Sequence, residues 1–191
     1  MSEGLAVAAE AFNDEGVLLN RIVEVFNSEF RDFNTRLCPG ADEPLYLPAN
    51  ERDCARIFSR EDFPASALHE VAHWCVAGEK PREQVDFGYW YAQDGRNAEQ
   101  QRAFQRVEVK PQAIEWALSR ASGMGFRVSI DNLNGETVDP FGFELAVWQQ
   151  AMHYYRAGLP PRAARFYRAL VAAFGSCPQA PSLAALRGQE S

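Results

Sequence analysis

The segment Leu68-His69-Glu70-Val71-Ala72-His73-Trp74-Cys75 carries a pattern on which most of the architecture can be built. Pro64 suits a first helical turn and Gly78 a stop just past the last one, so the segment is expected to be one helix. Projected at about 100° per residue, Ala65, Leu68, Ala72, Cys75 and Val76 share one apolar arc. Positions i and i+4 stack on one helix face, so the imidazoles of His69 and His73 can reach the same metal ion. Both fall just off the apolar arc, at the border of core and solvent where an accessible metal must lie. Glu70 sits about 70–100° around the helix from the pair, placed to act as a base or to hold a substrate charge rather than to ligate. The chain has three histidines, and two of them are here.

On the N-terminal side, Val17 to Asn34 places Leu18, Leu19, Ile22, Val23, Phe26, Phe30 and Phe33 at helical spacing, an aromatic stripe expected in the core. Glu43 to Pro48 is proline-bounded and reads as a strand or extended loop, and Ala55 to Ser59 as a second strand. On the C-terminal side, Val85-Asp86-Phe87-Gly88-Tyr89-Trp90-Tyr91 is strand-like and ends in a turn at Asp94-Gly95. Glu108 to Ser122 is a second amphipathic helix, with Pro111 in its first turn and Gly123 ending it. A strand over Phe126 to Ile130 leads into the polar turn Asp131-Asn132-Leu133-Asn134-Gly135. Helices over Phe141 to Ala157 and Pro161 to Phe174 follow, joined by Gly158-Leu159-Pro160-Pro161. Arg162, Arg165 and Arg168 are expected on a solvated face.

The 191 residues, 47% hydrophobic and 12% aromatic, suffice for one domain with a real core. No stretch approaches the roughly 20 apolar residues of a membrane span, and the acidic N-terminus lacks the basic region of a secretory signal. A cytoplasmic protein without a membrane partner is the expectation. A net charge of −7 argues against a general nucleic-acid binder and is compatible with a cationic partner. Cys38, Cys54, Cys75 and Cys177 are scattered without a CxxC pair and read as small buried groups rather than disulfides or zinc ligands.

Two imidazoles alone bind a catalytic metal poorly, so a third protein ligand is expected among Glu108, Asp86, Asp131 and His153. Glu108 is the best choice, since a histidine pair on one helix and a carboxylate on a second is an established way to build such a site. Alone, it would read as an acid favoured by the N-terminal end of a helix. Asp86 and Asp131 remain as substrate-facing carboxylates, and His153, beside Tyr154 and Tyr155, as a packed or surface residue. Two histidines and a carboxylate admit two chemistries. With Zn²⁺ the site is a hydrolase, peptidase or nuclease, in which Glu70 deprotonates a metal-bound water. With Fe²⁺ it is a facial triad with open positions for O₂ and substrate. A structural metal is disfavoured, because no cysteine cluster closes the shell and Cys75 points about 200° away from His73.

Beyond the histidine pair, an ordered series of blocks resembles the elongation factor P hydroxylase family of bacteria. The blocks are Asp32-Phe33-Asn34-Thr35-Arg36-Leu37, Glu43-Pro44-Leu45-Tyr46-Leu47-Pro48-Ala49, Leu68 to Cys75, Val85 to Tyr91, Val107-Glu108-Val109-Lys110-Pro111-Gln112-Ala113, Asp131-Asn132-Leu133 and Pro161-Arg162-Ala163-Ala164-Arg165-Phe166. They cover the chain from about residue 20 to about residue 175. The resemblance implies a non-haem Fe(II) monooxygenase that uses O₂ to hydroxylate the β-lysylated lysine of elongation factor P. It implies an α+β single domain, a small mixed sheet packed by several helices, with the HExxH on a helix. That fold is similar to a metal-dependent endoribonuclease of ribosomal RNA maturation, not to the double-stranded β-helix of 2-oxoglutarate oxygenases. Carried over by position, the metal ligands are His69, His73 and Glu108. The metal-binding domain is then 16–175, with an N-terminal extension over 1–15 and a C-terminal tail over 176–191. The long cationic substrate side chain suits Glu70, Asp86 and Asp131 as charge partners and Tyr89 and its aromatic neighbours as cation–π partners.

Overall fold

The computed structural model describes residues 3–86, 95–130 and 140–184, with side chains from residue 15 onward. The architecture is α+β, with one three-stranded mixed sheet and five α-helices among the described residues. Contacts group the chain into two compact units, one of Met1–Trp74 and Gly78–Phe87, the other of Cys75–Ala77 and Gly88–Ser191.

In the first unit, helix α1 (Glu3–Glu29) is followed by a 3-10 turn at Arg31–Phe33. The helix stops short of the expected Asn34 because the chain must reverse there. Asn34 takes the left-handed conformation (φ 48°) and its N–H returns to the Arg31 carbonyl, a geometry that asparagine tolerates better than most residues. The reversal feeds strand β1 (Thr35–Ala41), which runs parallel to β3 (Ala55–Arg60). Strand β2 (Leu45–Leu47) pairs antiparallel with β3 on its other side. The order β1-β3-β2 makes β3 the centre, and its residues alternate buried and half-buried as expected. The outer edge of β1 is covered by a side chain: the Leu37 N–H donates to Asn27 Oδ1 at 2.8 Å, and Asn27 Nδ2 donates to the Leu37 carbonyl at 3.3 Å. Helix α2 (Pro64–Val76) follows β3. Its Trp74 packs edge-on against Phe26, Phe30 and Phe33, with ring centroids 5.5, 4.9 and 5.6 Å away. Such aromatic pairs contribute about 0.5–1.5 kcal/mol each beyond burial. The stripe read from α1 is thus core, with Phe33 at its rim.

In the second unit, helix α3 (Ala98–Ala121) begins ten residues before the expected Glu108. Its start is the capping box Asn97…Gln100, in which the Asn97 side chain accepts from Glu99 and Gln100 N–H and Gln100 Oε1 accepts from Asn97 N–H. Pro111 therefore lies inside the helix, not in its first turn. Ser122 and Gly123 end it as expected, with the Met124 N–H returning to the Ser119 carbonyl. Helices α4 (Phe141–Ala157) and α5 (Pro161–Phe174) have the expected bounds. Ala113, Trp116, Phe143, Val147 and Ala151 form one buried cluster of this unit, with Phe126, Val128 and Ile130 packed against it and Trp116 stacked on Phe126 at 5.2 Å. The expected strand over Phe126 to Ile130 keeps the alternation of a strand but joins no sheet among the described residues. Its backbone is bonded by side chains of α3 instead. The chain beyond α5 is tied down by Ser176 Oγ on the Ala121 carbonyl and by Trp148 Nε1 on the Pro181 carbonyl.

Candidate metal centre

The buried face of α2 sets where its histidines stand. Ala67, Leu68, Val71, Ala72, Trp74 and Cys75 are all buried, while Ala65 and Val76, expected on the apolar arc, are exposed. Insertion of Trp74 into the aromatic cluster turns the centre of that face by about 70° toward Val71. His69, Glu70 and His73 are left half-buried on the other side of the helix. The two Nε2 atoms come within 3.1 Å of each other, with the rings at 69°.

Two ligands held about 2.1 Å from one ion at a right angle lie about 3 Å apart, so the separation of the two nitrogens suits a shared cation. Glu108 supplies the third donor. One ligand atom from each of His69, His73 and Glu108 lies within 4.8 Å of the others. Glu108 is only 4% exposed. A carboxylate so placed costs several kcal/mol in desolvation unless opposite charge or strong donors compensate it, which a divalent cation does. Gln112 Nε2 also donates to Glu108 Oε2, at 3.3 Å. Neutral imidazole with carboxylate is a donor set that Fe²⁺ accepts, and three protein ligands leave open positions. The residues present therefore fit a catalytic first-row metal.

A profile of the elongation factor P hydroxylase family matches residues 25–183. The chain belongs to that family. A relative in Haemophilus influenzae, described as elongation factor P lysine hydroxylase, is 49% identical over 160 residues, covering 83% of this chain and 90% of that protein. His69, His73 and Glu108 lie inside the region shared with the hydroxylase family, as do all the blocks quoted from the sequence.

The remaining sequence-derived positions are distributed as follows. Glu70 is half-buried on α2 beside the histidines and outside the three-residue donor group. Asp86 is half-buried and held by backbone pairing with Tyr46, whose N–H donates to the Asp86 carbonyl and whose carbonyl accepts from the Asp86 N–H at 3.0 Å. Tyr89, Trp90, Tyr91 and Asp131 lie outside the described residues. His153 is exposed on α4, as expected of a surface histidine. The four cysteines are free. Burial pushes the Cys75 thiol up to about 12, against the opposing pull of the Arg162 guanidinium, and Cys75 stands outside the His69, His73 and Glu108 group.

Arg162 corrects its expected place on a solvated face. It is half-buried, and its guanidinium donates to the Cys75 carbonyl at 3.1 Å and to the Ala77 carbonyl, satisfying acceptors left open at the end of α2. A polar stripe on α3 is not among the features expected from the sequence. Gln101, Glu108, Gln112, Glu115 and Ser119 are all buried, and their spacing follows one helix face. That spacing was the available signal, since polar residues in register on a helix whose other face is apolar need partners inside the fold.

Proposed function

We propose that this chain hydroxylates the β-lysylated lysine of translation elongation factor P, using O₂ at an Fe(II) centre held by His69, His73 and Glu108. The observation that carries the reading is the convergence of these three donors in a member of the elongation factor P hydroxylase family. The relative's description names the lysine of elongation factor P as the residue modified. Bound Fe(II) supplies the activation of O₂ and the insertion of one oxygen atom into a substrate C–H bond. The other oxygen leaves as water, with electrons and protons drawn from an external reductant.

The protein's own part is to hold and orient. Glu70 is next to the ligands and takes the ammonium of the β-lysyl group or relays a proton. Asp86 and Asp131 are assigned to the remaining positive charge and Tyr89 to a cation–π contact. A net charge of −7 favours approach of such a cationic loop. The reading takes 16–175 as the metal-binding domain, flanked by the extension 1–15 and the tail 176–191. Its fold is read as endoribonuclease-like, but acting in the cytoplasm on protein rather than nucleic acid.

The test is mass spectrometry of β-lysylated elongation factor P incubated with the purified protein, Fe(II), a reductant and O₂. The modified lysine is expected to gain one oxygen, and His73→Ala to abolish the gain while remaining folded. Turnover that is indifferent to O₂ would overturn the reading in favour of a zinc hydrolase with Glu70 as base.

A further inference from the structure

The buried amides of α3 form a connected set with the proposed ligand Glu108 at one end. Gln112 is 1% exposed and spans two partners. Its Oε1 accepts from the Ser129 N–H at 3.1 Å, and its Nε2 donates to the Ser129 carbonyl at 2.8 Å. These bonds fix which end of the amide is nitrogen, because the Ser129 N–H can only donate. The NH₂ group has a second hydrogen, and Glu108 Oε2 lies 3.3 Å from that nitrogen. About three turns back toward the start of the helix, Gln101 Nε2 donates to the Ile130 carbonyl at 3.0 Å while its Oε1 accepts from Arg96 Nε at 2.8 Å. Arg96, itself 2% exposed, lies over the Phe104 ring at 3.9 Å and sends Nη2 to the same Ile130 carbonyl at 3.4 Å. The backbone of Ser129 and Ile130 is thus clamped along α3, at the point where the chain enters Asp131.

We infer that Gln112 is a positioning residue for the metal centre: it holds the Glu108 carboxylate in its ligating orientation and ties it to the backbone that leads into Asp131. The inference rests on the proposed role of Glu108 as a ligand. Glu108 has flexible side-chain torsions, and one rigid donor on the same helix face restricts them before any metal arrives. The anchor for that donor is the Ser129 peptide, so movement of the Ser129–Ile130 backbone reaches the ligand through a single side chain. Partners of this type are worth about 10–100-fold in metal affinity.

The experiment is an anaerobic Fe(II) titration of the full chain by calorimetry, run beside thermal melts, on wild type, Gln112→Met, Gln101→Met and His73→Ala. Methionine fills the glutamine volume but donates nothing. Gln112→Met is expected to bind Fe(II) about 10–100-fold more weakly and to lose kcat at saturating iron more than it raises KM. Gln101→Met removes a buried amide of the same helix that does not touch Glu108. It is expected to lower the melting temperature comparably and to bind Fe(II) like wild type. Equal iron affinity in Gln112→Met and wild type overturns the inference, and so does an equal loss in Gln101→Met, which would make the effect one of general stability. Should Gln112→Met not fold, Gln112→Asn is read instead: its amide is one methylene too short for both partners, so it must weaken Fe(II), and wild-type affinity would again overturn the inference. If His73→Ala binds Fe(II) as wild type does, it is the proposed metal centre that fails, whatever the glutamine variants do.

Discussion

At the scale of single residues, burial sets which protonation states the fold prefers. Tyr154 and Tyr167, on α4 and α5, have phenols pushed above their ordinary value by burial, with a Gln150 hydrogen bond opposing the shift at Tyr154 and the neighbouring Tyr155 and Cys177 adding to it at Tyr167. A raised value in the folded state means that the fold prefers the neutral ring. Its contribution to stability is complete below the ordinary tyrosine value of 10.0 and is lost as pH climbs through that value and the raised one. The melting temperature is therefore expected to fall above about pH 10. The double variant Tyr154→Phe/Tyr167→Phe should show a shallower fall over the same range, measured by circular dichroism against pH. An identical slope in the two proteins would assign the alkaline loss to other groups.

At the scale of elements, Arg162 shows how a helix end is finished by a distant part of the sequence. Arg162→Met keeps the aliphatic stem but leaves the Cys75 and Ala77 carbonyls short of a charged donor. It is expected to cost about 1–3 kcal/mol in urea unfolding at unchanged m-value. Nothing local announces such a partner, because the spacing of Arg162, Arg165 and Arg168 is the same for a cap and for a solvated face. Other elements were legible for physical reasons that can be named. The α2 helix, β3, α4 and α5 carry their own start, stop and periodicity. The beginning of α3 was missed because Pro111 mimics a first-turn proline, while the true start is an Asn97 cap whose box partner is Gln100, a residue common anywhere on a surface. Strand β1 was missed because Thr35–Ala41 contains Pro39 and Gly40, which an edge strand tolerates and a central one does not. The segment Phe126 to Ile130 was read as a strand because alternation reports which side chains are buried, not what bonds the backbone. Here the partners are glutamine side chains of α3.

At the scale of the whole molecule, the histidine pair was legible from spacing alone and Glu108 from its place on the second amphipathic segment. The polar stripe around Glu108 was not, since its meaning depends on what α3 packs against. Among the described residues no helix is long and apolar enough to cross a membrane. Binding of Fe(II) to the folded chain alone must raise its stability by mass action, by about 2.7 kcal/mol at a free concentration of 100 times Kd. For a chain of this length that corresponds to a rise of about 5–10 °C in Tm. Anaerobic melts with Fe(II) and with excess chelator should differ by this amount in wild type and coincide in His73→Ala. A wild-type Tm that ignores both additions would contradict the proposed centre.

The amide of Asn27 has an effect that reaches past its own unit. It occupies both hydrogen-bonding groups that Leu37 turns outward, at the margin of the sheet where a foreign strand would otherwise add on. Cross-chain stacking and fibril growth are denied a template at Leu37 by this one side chain. Asn27→Leu, which keeps the branched outline of the side chain but can neither donate nor accept, would leave that margin open to a foreign strand.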